Sequence, residues 1–260
     1  MQRPDSNHRI PLRWYSAAIV FALYLTTFVV TGPLTPDAKD GILGFILGQT
    51  VLTGAITVGL LVVVILFGWR KTVFVERPRI RWAWGIPAAI FGLAAVITIA
   101  CSGANISRLG LSLVLGYTVW NLFVGISEEL VFRGIVLSGL RGSRLPEWAA
   151  MAITAVAFGS THFLNLLGGQ DLGDTLRQVI LASLYGLTLY LAFRASGTLL
   201  FPMAIHWLWD LCQALADDTP FISAVTGIGS LAATAGGLVA IALVIVGAVR
   251  DRRTRLRTAQ

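Results

Sequence analysis

The sequence predicts an all-α fold, a polytopic transmembrane helical bundle of about eight spans. Three observations carry that expectation. The 260 residues are 56% hydrophobic and only 13% charged, with a mean hydropathy of +0.77, far more apolar than a soluble domain needs. Apolar runs long enough to cross a bilayer recur along the chain. The charges gather in the breaks between those runs, and the net charge of +7 comes from basic residues beside them. That pattern is a topology signal, so a lipid bilayer is the expected partner and nucleic acid is not. Cys101 and Cys212 lie far apart with no C-x-x-C spacing, which gives no disulfide framework.

The elements follow in order. A basic arm at 1–13 leads into the first span, 14–31. That run is long and lacks an A-x-A site, so it reads as an uncleaved span. A loop at 32–40 carries two prolines and two aspartates. Span two, 42–68, has length enough to tilt. The connection at 70–81 holds Arg70, Lys71, Arg77, Arg79 and Arg81 against Glu76, the strongest positive-inside signal in the chain. Span three, 84–101, is followed by a loop at 102–108. The fourth apolar run, 109–140, would make one straight helix of about 48 Å, longer than a bilayer, so a strong tilt or a break near Gly125 is expected. A turn at 141–146, span five at 148–167 and a polar loop or short interfacial helix at 168–177 come next. Spans six, seven and eight are 178–193, 198–215 and 221–249, before a basic tail. The basic arm, connections and tail alternate with acidic loops, which places both termini in the cytoplasm of a multi-pass protein, on this reading in a prokaryotic cell membrane. The whole chain, 1–260, reads as a single integral membrane domain.

The chemistry concentrates at 121–144, where Glu128 and Glu129 lie side by side inside an apolar run and Arg133 follows. Charge at membrane depth is costly and persists where it is paired or used. Glu129 and Arg133 are i,i+4 neighbours with the acid on the favourable side. Glu128 is turned about 100° from Glu129 and about 140° from Arg133, so it faces something else. His8 stands in the arm, whereas His162 and His206 stand within spans, where an imidazole is a functional candidate. Glu128 lies about 20 Å along a helix from the 141–146 turn, His162 about 24 Å from it, and His206 about 18 Å from Arg194 on the same face. The three can share one layer. Asp210 is i+4 from His206 and Phe158 is i−4 from His162, each pointing the same way as its partner. Trp207 and Trp209 read as packing or pocket wall. Asn121 reads as a cavity-lining or helix-pairing residue, and Gly236-Gly237 as a close helix contact.

These residues carry a resemblance. E-E-L-V-F-R, from Glu128 to Arg133, resembles the E-E-x-x-x-R motif of the CAAX prenyl protease and bacteriocin-immunity (Abi) family, the intramembrane glutamic endopeptidases. F-G-S-T-H, from Phe158 to His162, is similar to the family's F-x-x-x-H, and Asn165 completes an H-x-x-N extension. H-W-L-W-D, from His206 to Asp210, is similar to its H-x-x-x-N or H-x-x-x-D motif. The three occur in the family's order, and the resemblance covers about 111–215. It implies that Glu128 is a general base activating a water that His162 also holds, with His206 and Asp210 stabilising the oxyanion across the site. It implies a membrane-tethered peptide or protein as substrate, and neither metal nor covalent intermediate.

The third motif often has Asn where this chain has Asp210, and an ionised Asp cannot donate a hydrogen bond. Asp210 is therefore either protonated or, as preferred here, the group that orients His206. Glu129 and Arg133 are assigned to structure and pocket charge, with Phe158 and Asn165 as supporting residues. Two other readings stay open. Glu128, His162 and His206 could hold zinc with a water in the fourth position, although H-E-x-x-H and a nearby cysteine are both missing. The polar cluster could also serve a non-catalytic scaffold or immunity factor.

Overall fold

Within a bilayer no water satisfies backbone N–H and C=O groups, so each apolar run must satisfy its own by forming a helix. The computed structural model describes residues 10–31, 41–76, 80–143 and 145–258 and shows this outcome throughout. The arm before residue 10 with His8, the acidic loop at 32–40, Arg77, Arg79 and Arg144 lie outside the described residues.

The helices are α1 (Trp14–Thr31), α2 (Ile42–Leu66), α3 (Arg70–Phe74), α4 (Ile86–Cys101), α5 (Gly103–Leu109) and α6 (Leu111–Glu129). They continue as α7 (Leu137–Arg141), α8 (Glu147–Ser160), α9 (Leu172–Ser196), α10 (Leu200–Leu215) and α11 (Pro220–Thr258). Short 3₁₀ turns precede α4 (Trp82–Gly85) and follow α8 (Thr161–Leu166), and a π-helical segment, Leu130–Val136, joins α6 to α7. Among the described residues the only extended pairing is an isolated bridge between Val75 and Thr198.

Every expected apolar run is helical, but the spans count differently. Among the described residues six helices are long and apolar enough to cross a membrane, and the bent pair of α5 with Leu111–Arg141 makes a seventh. The eighth expected span is α10, which at 16 residues is short for a crossing. Exposed Leu23, Val51, Val58, Leu167 and Leu231 give the bundle the apolar outer surface that lipid requires.

Three expectations are corrected. The stretch 102–108, read as a loop, forms α5, which meets the next helix at 105° where Gly110 takes φ 77°. Its amide and side-chain donors find partners in the loop after α10: Asn105 N donates to Asp217, and Asn105 Nδ2 donates to the Leu215 and Ala216 carbonyls, each at 3.1 Å. Helix α9 starts at Leu172, inside the expected loop, because Asp171 caps it by accepting from Gly173 N at 2.7 Å and Asp174 N at 3.3 Å. The long fourth run does not break at Gly125. It runs on through the π-helical segment, and Gly125 is where α10 comes closest: a Cβ there would lie 3.0 Å from Trp207 N.

This central helix is the core. Residues 129–139 are all buried, with Phe132, Leu130, Ile135 and Leu137 among the largest enclosed side chains. Helix α1 packs on it through Phe21, Tyr24 and Ala17. At the arginine-rich end, buried Glu76 pairs with Arg141 and Arg194, each at 2.7 Å. Glu147 accepts from Arg194 at 2.9 Å and from the Tyr190 hydroxyl at 2.6 Å. One network thus ties the connection after α3 to the ends of α7, α8 and α9. Gly236 and Gly237 bring α11 against α9, as expected of a small-residue contact.

A Cβ at Gly237 would lie 2.6 Å from the Leu184 carbonyl oxygen, whereas one at Gly227 would meet open space. Gly237→Val should therefore lose about 1–3 kcal/mol to overpacking. Thermal unfolding in detergent should show a lower midpoint for it, and no fall for Gly227→Ala.

Candidate active site

The site is built outward from Glu129. Its carboxylate is fully enclosed and accepts from Arg133 Nη1 at 2.6 Å. The wider π-helical turn that begins at Leu130 carries Arg133, and such turns recur at functional sites. Arg133 is itself buried. Its Nη2 donates to the Gly186 carbonyl of α9 at 3.0 Å, and its guanidinium lies over the Phe158 ring at 4.3 Å. Gly186 is required for this approach: a Cβ there would stand 3.0 Å from Arg133 Nη2 and 3.1 Å from the Phe158 ring.

The same Glu129 oxygen lies 2.9 Å from His206 Nδ1. An ionised carboxylate only accepts, so Nδ1 carries the proton of this bond and the ring is fixed by it. The other ring edge points into the site. There Nε2 lies 3.3 Å from Asp210 Oδ2 and 3.7 Å from Glu128 Oε2. Three carboxylates thus surround one imidazole, and they differ in access. Glu129 is 0% exposed, Glu128 18% and Asp210 29%. Only the latter two can meet a water or a substrate.

His162 stands on the 3₁₀ turn after α8 and joins the cluster by ring contact. Phe158 meets the His162 ring at 6.0 Å and the His206 ring at 5.8 Å, both edge-on. His162 is within electrostatic reach of His206 and Asp210. His162 and His206 thus meet on Phe158, with Arg133 on its face, and Glu128 reaches this group at His206 Nε2. Among the described residues no group of three or more His, Cys, Asp and Glu side chains is arranged to hold a metal ion.

Other candidates fall elsewhere. Asn165 donates to Gln178 Oε1 at 2.9 Å, which ties the 3₁₀ turn to α9. Asn121 is buried, and its Nδ2 finds no acceptor among the described residues, so the helix-pairing bond considered for it is not made through that atom. Trp207 Nε1 donates to the Thr118 carbonyl at 3.0 Å, clamping α10 to α6. Trp209 packs on Phe91 at 4.2 Å and is part of the core. Both cysteines are free.

Two contacts escaped the sequence reading. It gave Asp210 the task of orienting His206, whereas Nδ1 is held by Glu129 and Asp210 shares the Nε2 edge with Glu128. It also paired Arg133 with Glu129 alone and did not reach Gly186. The signal for the first was the E-E pair itself, since two adjacent acids point to different partners.

The fold is that of a multi-pass membrane protein whose polar cluster is enclosed by its own helices. Residues 110–212 match the family model of the Rce1-like type II CAAX prenyl endopeptidases. Over that stretch the chain is similar to the CAAX protease family, and every residue of the cluster lies within it. No curated protein and no solved structure matches the chain.

Arg133→Met should leave Glu129 buried with its main counter-charge gone, a loss of about 3–5 kcal/mol. Replacing both partners, as in Glu129→Leu with Arg133→Met, should cost less than the single change. Unfolding midpoints of the two variants in one detergent check the order.

Proposed function

We propose that the chain is an intramembrane endopeptidase that hydrolyses a peptide bond of a membrane-tethered peptide or protein with a water activated by Glu128 and His162. The observation that carries this reading is the division of labour around His206. One carboxylate, Glu129, is enclosed and holds Nδ1, while Glu128 faces Nε2 from the accessible side.

Glu128 takes a proton from the water as its oxygen attacks the scissile carbonyl carbon. His162 accepts or donates the second hydrogen bond that fixes the water. The carbonyl becomes a tetrahedral oxyanion, towards which His206 Nε2–H points. A ring that donates from both nitrogens is an imidazolium, a charge suited to that oxyanion. Asp210 balances this charge from the Nε2 edge. Collapse of the intermediate breaks the C–N bond, and the proton on Glu128 passes to the leaving amine. No metal enters the scheme. The arginine-rich end, where Glu76, Arg141 and Arg194 meet, is the cytoplasmic end on the positive-inside rule, with both termini on that side.

The test is cleavage of fluorogenic peptides, with and without a lipid anchor, by purified protein in liposomes. Glu128→Gln should lower kcat by about 10²–10⁴-fold, the usual contribution of a general base. His162→Ala should also lose most activity, and the wild type should keep its rate in strong chelator. Activity lost to chelator and restored by zinc would replace this scheme with a metal hydrolase. If Glu128→Ala restored the cellular phenotype of a deletion, the non-catalytic scaffold or immunity reading would take its place.

A further inference from the structure

At the arginine-rich end, charged and apolar residues are sorted by depth on three helices. A cavity of about 600 Å³ lies there between α8, α9 and α11, within the roughly 300–1,000 Å³ of small-molecule sites. It is lined by Glu147 and Met151 of α8, Leu191 and Arg194 of α9, and Leu243 and Arg250 of α11. Glu147 begins one candidate membrane span, Arg250 ends another, and Arg194 stands two residues before the end of a third. The apolar residue on each helix lies deeper than its charged neighbour, by about 6 Å at Met151, about 5 Å at Leu191 and about 10 Å at Leu243. Met151 and Leu191 are buried, whereas Glu147 and Arg250 are exposed. The cavity therefore has an apolar floor and a charged mouth.

The mouth is net positive. Arg194 Nη1 donates to the Tyr190 hydroxyl at 2.7 Å and to Glu147 at 2.9 Å, and its guanidinium stands over the Tyr190 ring at 5.7 Å. Glu147 also pairs with Arg141, and Glu76 pairs with both arginines. These two acids are matched by two arginines, and Arg250 adds a third cation at the same cavity. Arg252, Arg253, Arg255 and Arg257 follow it in the sequence, with Asp251 as the one acid among them.

Tryptophan marks the headgroup level of a bilayer. Trp148 lines the cavity, and Gly247 brings α11 against it: a Cβ at Gly247 would lie 3.2 Å from Trp148 Cδ1. Exposed Trp82 and Trp84 stand just past Ile80, another lining residue. The mouth thus sits at the depth of lipid headgroups and the floor at that of acyl chains. A neutral headgroup would not answer the net positive charge, and a soluble anion would leave the apolar floor uncovered. Basic pockets between spans on the cytoplasmic side suit anionic headgroups.

We infer that the cavity between α8, α9 and α11 binds one glycerophospholipid with an anionic headgroup, its phosphate at Arg194 and Arg250 and an acyl chain along Met151, Leu191 and Leu243. The lipid joins α11 to the α8–α9 pair. It asks nothing of the reaction assigned to Glu128, and none of its residues belongs to that site.

Native mass spectrometry of the full chain in neutral detergent, titrated with phosphatidylglycerol or phosphatidylcholine of identical acyl chains, reads the occupancy. One phosphatidylglycerol should bind about tenfold more tightly than phosphatidylcholine. Arg250→Ser should weaken its binding about fivefold, the share of one basic residue at the headgroup. Leu243→Trp fills the floor without changing the charge and should weaken it by about as much or more. Arg252→Ser, exposed on the same helix but outside the lining, should change it by less than about twofold. Glycerol 3-phosphate at the same concentration should not displace the lipid. Gel filtration checks the folding of each variant.

Equal affinity for the two lipids would mean unselective annular lipid and would overturn the inference. Wild-type affinity in either folded cavity variant would overturn it too. An Arg252→Ser effect equal to that of Arg250→Ser would assign the attraction to the basic tail as a whole instead of the cavity. Displacement by glycerol 3-phosphate would make the mouth a soluble-anion site, and the lipid would lose its place.

Discussion

A carboxylate with no solvent access, at the centre of an apolar bundle, is tolerable only if the surrounding structure satisfies it. Glu129 meets that condition at one oxygen, Oε1, through Arg133 at 2.6 Å and His206 at 2.9 Å, while Oε2 is enclosed without a hydrogen-bond partner among the described residues. Arg133 must in turn be satisfied, and it is, by the Gly186 carbonyl and the face of Phe158. The central helix, α8, α9 and α10 are therefore held at one point by polar contacts that have no alternative partner in lipid. Placing the ends of that arrangement fixes the orientation of His206, and with it the edge that looks towards Glu128.

This explains why two identical acids sit side by side. On a helix, adjacent residues diverge by about 100°, so one can be committed inward while its neighbour opens to the pocket. Glu129 commits Oε1 to structure. Glu128 keeps its carboxylate near Nε2 of the ring that Glu129 orients. Two glycines make the arrangement possible by subtraction of a side chain: Gly125 lets α10 approach the central helix, and Gly186 admits the Arg133 guanidinium. At the arginine-rich end, a second ionic group built on Glu76 and Glu147 binds the connections together well away from the chemistry.

Much of this was legible in the sequence because it is local or periodic. Apolar run length marked the helices, and α1 begins and ends where its run does. The Glu129–Arg133 pair followed from i,i+4 geometry. What was not legible depends on partners far along the chain. His206 finds Glu129 across 77 positions, Arg133 finds Gly186 across 53, and Arg141 finds Glu76 across 65. No periodicity encodes such pairs. The π-helical turn was also hidden, since Leu130–Val136 has the composition of an ordinary apolar helix. The expected break at Gly125 failed for a related reason: a glycine in a helix can mark a kink or a close neighbour, and only the packing of α10 decides which.

The central claim is that Glu129 is a structural anion and Glu128 a reactive one. The most direct measurement compares the thermal unfolding midpoints of Glu128→Gln and Glu129→Gln with wild type in one detergent. The account predicts that Glu129→Gln unfolds at a clearly lower temperature, because Arg133 and His206 lose their shared counter-charge, while Glu128→Gln matches wild type or exceeds it. Equal midpoints, or a loss confined to Glu128→Gln, would contradict it.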